Sequence, residues 1–431
     1  KKVGMERFLM DSLLAWRAIP GRKPLILQGA RQVGKTWLMK EFGKRSYTHT
    51  AYVNFESASP LKSLFQADFN VNRILAALEI ETNQKILPSN TLLILDEIQE
   101  ADGGLTALKY FFEQAPEYHV IAAGSLLGIA LQNGSSFPVG KVDLLEMKPL
   151  SFLEFISSLG EEKLVAELQQ RNWPVISLFH ERLTELLRTY YFIGGMPEVV
   201  ATYLHQKDLA LCRQRQAQIV RGYENDFGKH VPGNLLPKIR LVWNHLLGQL
   251  AKENRKFIYG QLKKGARAKE FEAAIQWLAD AGLVIKVNRI EKPTLPMTAY
   301  ADFDAFKLFF VDIGLLNAMG NVDARTLLEK NKILSEFKGA LTEQFVCQQL
   351  CQKTKLYYWS SNHTAEVDFV FQSNDQIVPL EVKAEENLKS KSLKVFTERF
   401  PVSRALRTSM SPYREQDWLT NIPLYAIETI T

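Results

Sequence analysis

The residues best suited to do chemistry begin at Gly29. Positions 29–36 read GARQVGKT, with Gly29, Gly34, Lys35 and Thr36 in the fixed places of the G-x-x-x-x-G-K-[ST] phosphate loop. Glycines let such a loop wrap phosphate oxygens with inward-pointing N–H groups, here those of Gly29, Ala30, Arg31, Gln32, Val33, Gly34, Lys35, Thr36 and Trp37. Lys35 would reach the β and γ oxygens and Thr36 would hold Mg²⁺. A helix expected over Trp37 to Phe42, stopped by Gly43, aims its positive end at the same phosphates. The cofactors implied are ATP and Mg²⁺.

A second group supports the first. LLILDE places Asp96 and Glu97 at the C-terminal end of a buried strand. There Asp96 would meet the Mg²⁺ shell, and Glu97 would act as general base on the attacking water. The plainer alternative is a pair of strand-end carboxylates on a solvated loop. The next strand ends in Gly124-Ser125, where Ser125 either senses the γ-phosphate or only closes a turn.

A third group lies near the end of the chain. EVDFVFQSNDQIVPLEVKA (366–384) alternates apolar and polar residues around the turn cluster Ser373-Asn374-Asp375. A two-residue turn at Asn374-Asp375 sets Asp368 opposite Glu381 and Glu366 opposite Lys383, all on one face. Directly opposed side chains have Cβ atoms ~4.5–5.5 Å apart, and carboxylates that close repel unless a cation lies between them. Asp368 and Glu381 are therefore candidate ligands of a divalent metal, and Lys383 could stabilise charge at a phosphate. A solvated ladder of surface charges is the alternative.

These groups need elements to position them. Apolar runs at Pro24–Gln28, Ala51–Glu56, Thr91–Asp96, Tyr118–Gly124 and Lys141–Met147 alternate with helical patterns, which predicts an α/β domain with a parallel sheet. The chain then reads as helical from Pro149 to about Leu250. A winged-helix unit is expected near Lys256–Val287, followed by a mixed α/β block from about Phe303. The expected domains are 1–150, 151–250, 251–300 and 301–431. The stretch KFIYGQLKKGARAK (256–269) holds five basic residues and no acid; it fits phosphate contacts or, more simply, a packing domain with a solvated basic turn. GGMPEVV (194–200) reads as a hinge near the nucleotide or a turn between helices. His119 and His363 are expected at the surface.

Composition bounds the answer. In 431 residues, 46% are hydrophobic and 23% charged, which excludes a disordered chain or a collagen. Three cysteines make no disulfide framework, which fits a reducing, cytoplasmic home. The longest apolar stretch, Val120 to Leu131, falls short of the ~20 residues that cross a membrane, so no membrane partner is expected. Asp11 interrupts the N-terminal apolar segment, which does not read as a secretory leader. A net charge of +6 permits an anionic partner without identifying one.

Several segments together resemble a known family. RKPLILQGARQVGKT, LLILDE, the AAGS strand end, KPLSFLEF (148–155), FIGGMPEVV (192–200), KLFFVDIGLL (307–316), Gly339–Leu350 and the 366–384 hairpin are similar to prokaryotic AAA-type ATP-binding proteins with a C-terminal domain of unknown function. The resemblance implies a P-loop NTPase core with an additional strand in its parallel sheet, a helical lid, a winged helix and a restriction-endonuclease-like α/β domain. It implies that Asp368, Glu381 and Lys383 form a D…E-x-K nuclease core, with Glu343 on an amphipathic helix as supporting acid. ATP, DNA and further copies of the chain are the implied partners. Two departures stand out: Gly140-Lys141 replaces the family's Gly-Arg, and Trp37 replaces a small hydroxyl residue. The arginine that contacts nucleotide stays open among Arg22, Arg31, Arg188 and Arg221. Two functions remain: an ATP switch gating a nuclease, and a regulatory protein whose terminal domain grips DNA or protein without cutting.

Overall fold

The computed structural model describes residues 5–124, 138, 140–250, 257–265, 267–324, 335–361, 365–384 and 390–431. The chain forms two compact units. One comprises 6–148 with 280–283; the other contains 149–279 and 284–431, together with Met5.

The first unit is built on a five-stranded sheet: β1 (Leu25–Gln28), β2 (His49–Asn54), β3 (Thr91–Asp96), β4 (His119–Gly124) and β5 (Asp143–Glu146). Its order is β2-β3-β4-β1-β5 and every pairing is parallel. All residues of β3 and β4 are buried, as expected for central strands covered on both faces. The sheet sets β4 between the phosphate-loop strand β1 and the acid-bearing strand β3. Helices α1 (Leu9–Ala18), α2 (Lys35–Ser46), α3 (Val71–Thr82) and α4 (Gly104–Gln114) complete this unit. Asn70 caps α3 by accepting the Arg73 amide through its side chain. The core of this unit joins Ile26, Val53, Ile74, Leu93, Leu108 and Val120.

Two local expectations are corrected here. Gly43 does not stop α2, which runs through it to Ser46. Its missing side chain instead lets the helix close on Thr50, whose hydroxyl occupies the space a Cβ would need. His119 is buried rather than at the surface, and its Nδ1 lies 2.7 Å from the Tyr47 hydroxyl. His363 lies outside the described residues.

The second unit opens with helices α5 (Phe152–Ser158), α6 (Glu162–Gln170), α7 (Trp173–Leu178), α8 (His180–Ile193), α9 (Pro197–Gln206), α10 (Leu209–His230) and α11 (Leu236–Leu250). A reciprocal Ser151/Glu154 capping box starts α5. The GGMP segment is the turn between α8 and α9. Gly194 takes φ +72, and Gly195 accepts from the Leu150 amide while donating its own to Asp312 Oδ2. Next comes α12 (Ala268–Asp280), which buries Phe271, Ala274, Ile275 and Leu278 as its spacing predicts. The strand expected as a wing is β6 (Val284–Ile290), paired with β7 (Ala301–Phe310) and β8 (Tyr357–Ser360) inside a larger sheet.

That sheet continues through β9 (Glu366–Ser373), β10 (Gln376–Val382), β11 (Leu406–Ser409), β12 (Arg414–Glu415) and β13 (Thr420–Pro423). Its order is β12-β13-β11-β10-β9-β8-β6-β7. Helices α13 (Ile313–Met319), α14 (Ser335–Leu350) and α15 (Lys391–Arg399) belong to the same unit. The helix α14 is not amphipathic: every residue from Ala340 to Leu350 is buried. Its glutamines serve as hydrogen-bonding groups in the core. Gln344 bonds both N–H and C=O of Phe310, Gln348 accepts from the Ile313 amide, and Gln349 accepts from the Phe152 amide. Each bond removes the cost of a buried unpaired amide, about 1–3 kcal/mol.

Candidate nucleotide and metal sites

The phosphate loop leaves β1 at Gly29, whose φ is +148 and whose Cα backs directly on the Met147 carbonyl. A side chain there would collide with that carbonyl, so the loop passes close to β5 only as glycine. Gln32 and Gly34 also take positive φ, +66 and +98, which turns successive N–H groups toward one side. Arg7, buried on the approach to α1, donates to the Val33 carbonyl at 3.0 Å and to the Lys148 carbonyl at 2.6 Å. It clamps the loop from behind.

Lys35 opens α2 and is buried. Its Nζ donates to the carbonyls of Gly29 (2.8 Å) and Ala30 (2.9 Å). Burial pushes its ammonium down to about 8, against the pull of Glu97 and Asp96. A cation held in such a setting by neutral carbonyls is stabilised by an arriving anion. Thr36 Oγ1 donates to Asp96 Oδ2 at 2.7 Å. Tyr52, from β2, donates to the same oxygen at 3.0 Å, and the Glu97 amide donates to Asp96 Oδ1 at 3.2 Å. A hydroxyl beside a buried carboxylate is a hard-oxygen pair suited to Mg²⁺. A glycine with no room for a Cβ at position 29, a buried ammonium and this oxygen pair together fit ATP with Mg²⁺.

Glu97 follows β3 in a left-handed conformation, φ +49. Gln99 Nε2 donates to its Oε2 at 2.6 Å. Trp37 is 39% exposed. Ser125 lies outside the described residues. Lys141, at the position of the family's arginine, pairs with Glu113 at 3.0 Å. Of the candidate arginines, Arg22 donates to the Arg17 and Ile19 carbonyls and lies over the Trp16 ring. Arg188 and Arg221 belong to the other unit.

In the second unit the hairpin register is the expected one: Gln376 pairs with Ser373 and Leu380 with Phe369. Asp368 Oδ2 accepts from the Val382 amide at 2.7 Å. Lys383 Nζ lies 2.6 Å from Glu381 Oε1. Glu381 is buried, and its Oε2 has no hydrogen-bond partner. Burial holds its carboxyl above the usual range, Lys383 opposes this, and Asp368 adds to it. Asp368, Glu381 and Lys383 thus come together. Glu343 faces another charge: Lys307, fully buried on β7, lies 3.6 Å from Glu343 and 2.5 Å from Glu366. Among the described residues no three His, Cys, Asp or Glu side chains are grouped to hold a metal ion. Lys263, Lys264, Arg267 and Lys269 are exposed.

Sequence reasoning passed over Arg7, Tyr52, Gln99 and Lys307. Only Gln99 had a local signal, two residues from Glu97.

Residues 21–156 match the family model described as an AAA domain. Residues 184–326 and 338–427 match two domains of unknown function, DUF8612 and DUF4143. The first segment thus matches an AAA-domain model and carries the phosphate-loop pattern on a parallel sheet. No curated protein matches the chain. Among solved structures, a Walker-type ATPase of Pyrococcus abyssi aligns over 74% of this chain and 96% of its own, at 15% identity and a TM-score of 0.45. The ORC1 protein of Aeropyrum pernix, solved in complex with DNA, aligns over 74% and 94%, at 14% identity and a TM-score of 0.28.

Proposed function

We propose that the chain is a Mg²⁺-dependent ATPase that works as a nucleotide switch for its C-terminal unit. The observation that carries this is the Thr36–Asp96 hydrogen bond beside a buried Lys35, at the head of a glycine-built loop. Backbone N–H groups of Gly29 to Trp37 bind the phosphates, and Lys35 neutralises the β and γ oxygens. Thr36 and Asp96 would hold Mg²⁺, which when bound would neutralise charge on the phosphoryl group. Glu97 accepts the proton of the attacking water, and Ser125, next in sequence after Gly124, senses the γ-phosphate. The test separates binding from chemistry. Lys35→Ala is expected to abolish ATP binding, while Glu97→Gln retains binding and loses at least about 10²-fold in turnover. Normal binding and hydrolysis by Lys35→Ala would end this reading.

The second unit is read as a nuclease-like module acting on or near DNA. The unpartnered Glu381 Oε2 beside Asp368 favours a divalent cation there. Asp368 and Glu381 would hold the ion, which would supply Lewis acidity to a water and a phosphodiester, and Lys383 would steady the charge that develops. The alternative is a module that grips DNA or protein without cutting. The engagement of Glu343 by Lys307 favours it, because only two acids are left for metal. Cleavage of supercoiled and single-stranded DNA in Mg²⁺ or Mn²⁺, with and without ATP, decides between them. Nicking lost in Asp368→Ala supports the nuclease. No nicking, with ATP hydrolysis intact, supports the binding module.

A further inference from the structure

Asp96 has a third partner that the phosphate-loop motifs do not supply. Tyr52 lies on β2, the outer strand of the sheet, opposite Ile94 and one pleat from the Asn54–Asp96 pair. That diagonal is within reach of an aromatic side chain, and the phenol uses it to donate to Asp96 Oδ2 at 3.0 Å. The same oxygen takes the Thr36 hydroxyl at 2.7 Å. Lys40 lies over the Tyr52 ring, its Nζ 3.5 Å from the ring centre. Lys40 is one helical turn beyond Thr36 on α2, so Thr36, Asp96, Tyr52 and Lys40 close a ring of contacts through α2, β3 and β2.

We propose that Tyr52 is a positioning residue for the Mg²⁺ site, locking the Asp96 carboxylate in the rotamer that meets the ion. The proposal rests on the ATPase reading above. Groups that orient a metal's ligands commonly matter about as much as the ligands' own fine placement, about 10–100-fold in metal affinity. The Tyr52 hydroxyl donates to Asp96 and accepts from Asn54 Nδ2 at 3.5 Å, so its loss should act through Asp96 and leave metal-free nucleotide binding alone.

Tyr52→Phe removes the hydroxyl and keeps the ring under Lys40. The experiment is equilibrium binding of a non-hydrolysable ATP analogue across a Mg²⁺ titration and in EDTA, with Asp96→Asn in parallel. Affinity in EDTA is expected to be unchanged by Tyr52→Phe, while the Mg²⁺ concentration giving half of the metal-dependent gain rises about tenfold. A midpoint unmoved by Tyr52→Phe but moved by Asp96→Asn would overturn the role of Tyr52 and leave the site reading intact. A midpoint unmoved by either would overturn the assignment of Asp96 to the metal, and the proposal with it. Equal loss in Mg²⁺ and in EDTA would show a merely structural tyrosine and also overturn it. Thermal unfolding of Tyr52→Phe without nucleotide checks that the chain is folded, and Lys40→Met, which frees the ring but keeps the hydroxyl, is expected to move the midpoint less.

Discussion

Lys35 carries its charge where burial opposes it, and that makes nucleotide binding sensitive to pH. Its ammonium titrates near 8 in the free chain, below the ordinary lysine value of about 10.4. Phosphates need the protonated form, so the competent fraction falls as pH rises past that point. Apparent ATP affinity is expected to weaken about tenfold between pH 7 and pH 9, measured by equilibrium binding in EDTA. Lys35→Arg should show a flat profile over the same range if it binds at all. The loop, Lys35, Thr36, Asp96 and Glu97 were legible in sequence because their chemistry is packed into two short local patterns. Tyr52 and Arg7 were not. Tyr52 is 44 positions from the carboxylate it serves and Arg7 is 26 from Val33, so only the folded sheet and loop bring each pair together.

At the scale of elements, period-two alternation was enough to fix a strand pairing. The turn cluster at Asn374 and the apolar face of Val367, Phe369, Leu380 and Val382 left one register that buries all four, and that register is observed. A slip of one residue would move those four side chains to the face that carries Asp368 and Glu381. The same logic failed for α14. The helix was expected to be amphipathic, yet Thr342, Glu343, Gln344, Gln348 and Gln349 are all buried. Amides matched to backbone groups from β7, α13 and α5 override the pattern, and those partners are distant in sequence. It also failed for β6, whose neighbours β7 and β8 lie downstream. Nothing within Lys256–Val287 shows that the strand will join an eight-stranded sheet.

At the scale of the whole molecule, the chain forms two compact units, and residues 149–279 and 284–431 share one of them. No helix among the described residues is long and apolar enough to cross a membrane. The second unit carries a titration of its own. Glu428 is buried near the C-terminus, accepting from the Leu153 amide at 3.3 Å. Burial raises its carboxyl to about 7, with Lys353 opposing and Glu154 adding to the rise. The folded chain therefore keeps this proton where the unfolded chain has lost it. The associated stability is complete below about pH 4.5 and disappears as pH climbs through 7. Glu428→Gln is expected to be more stable than the parent at pH 8, by on the order of 2–3 kcal/mol. That advantage should vanish at pH 4.5, with urea midpoints at the two pH values as the measurement. An equal effect at both would assign the difference to packing.

The glutamines of α14 carry one last consequence, for how such a chain can change over generations. A lost apolar contact can be offset by a neighbour that grows. Gln344, Gln348 and Gln349 answer main-chain groups, and a main-chain amide is the same whatever residue bears it. No point mutation at Phe310, Ile313 or Phe152 short of proline can withdraw the demand. These three positions are therefore closed to compensation by their partners, and drift in this module must go around them.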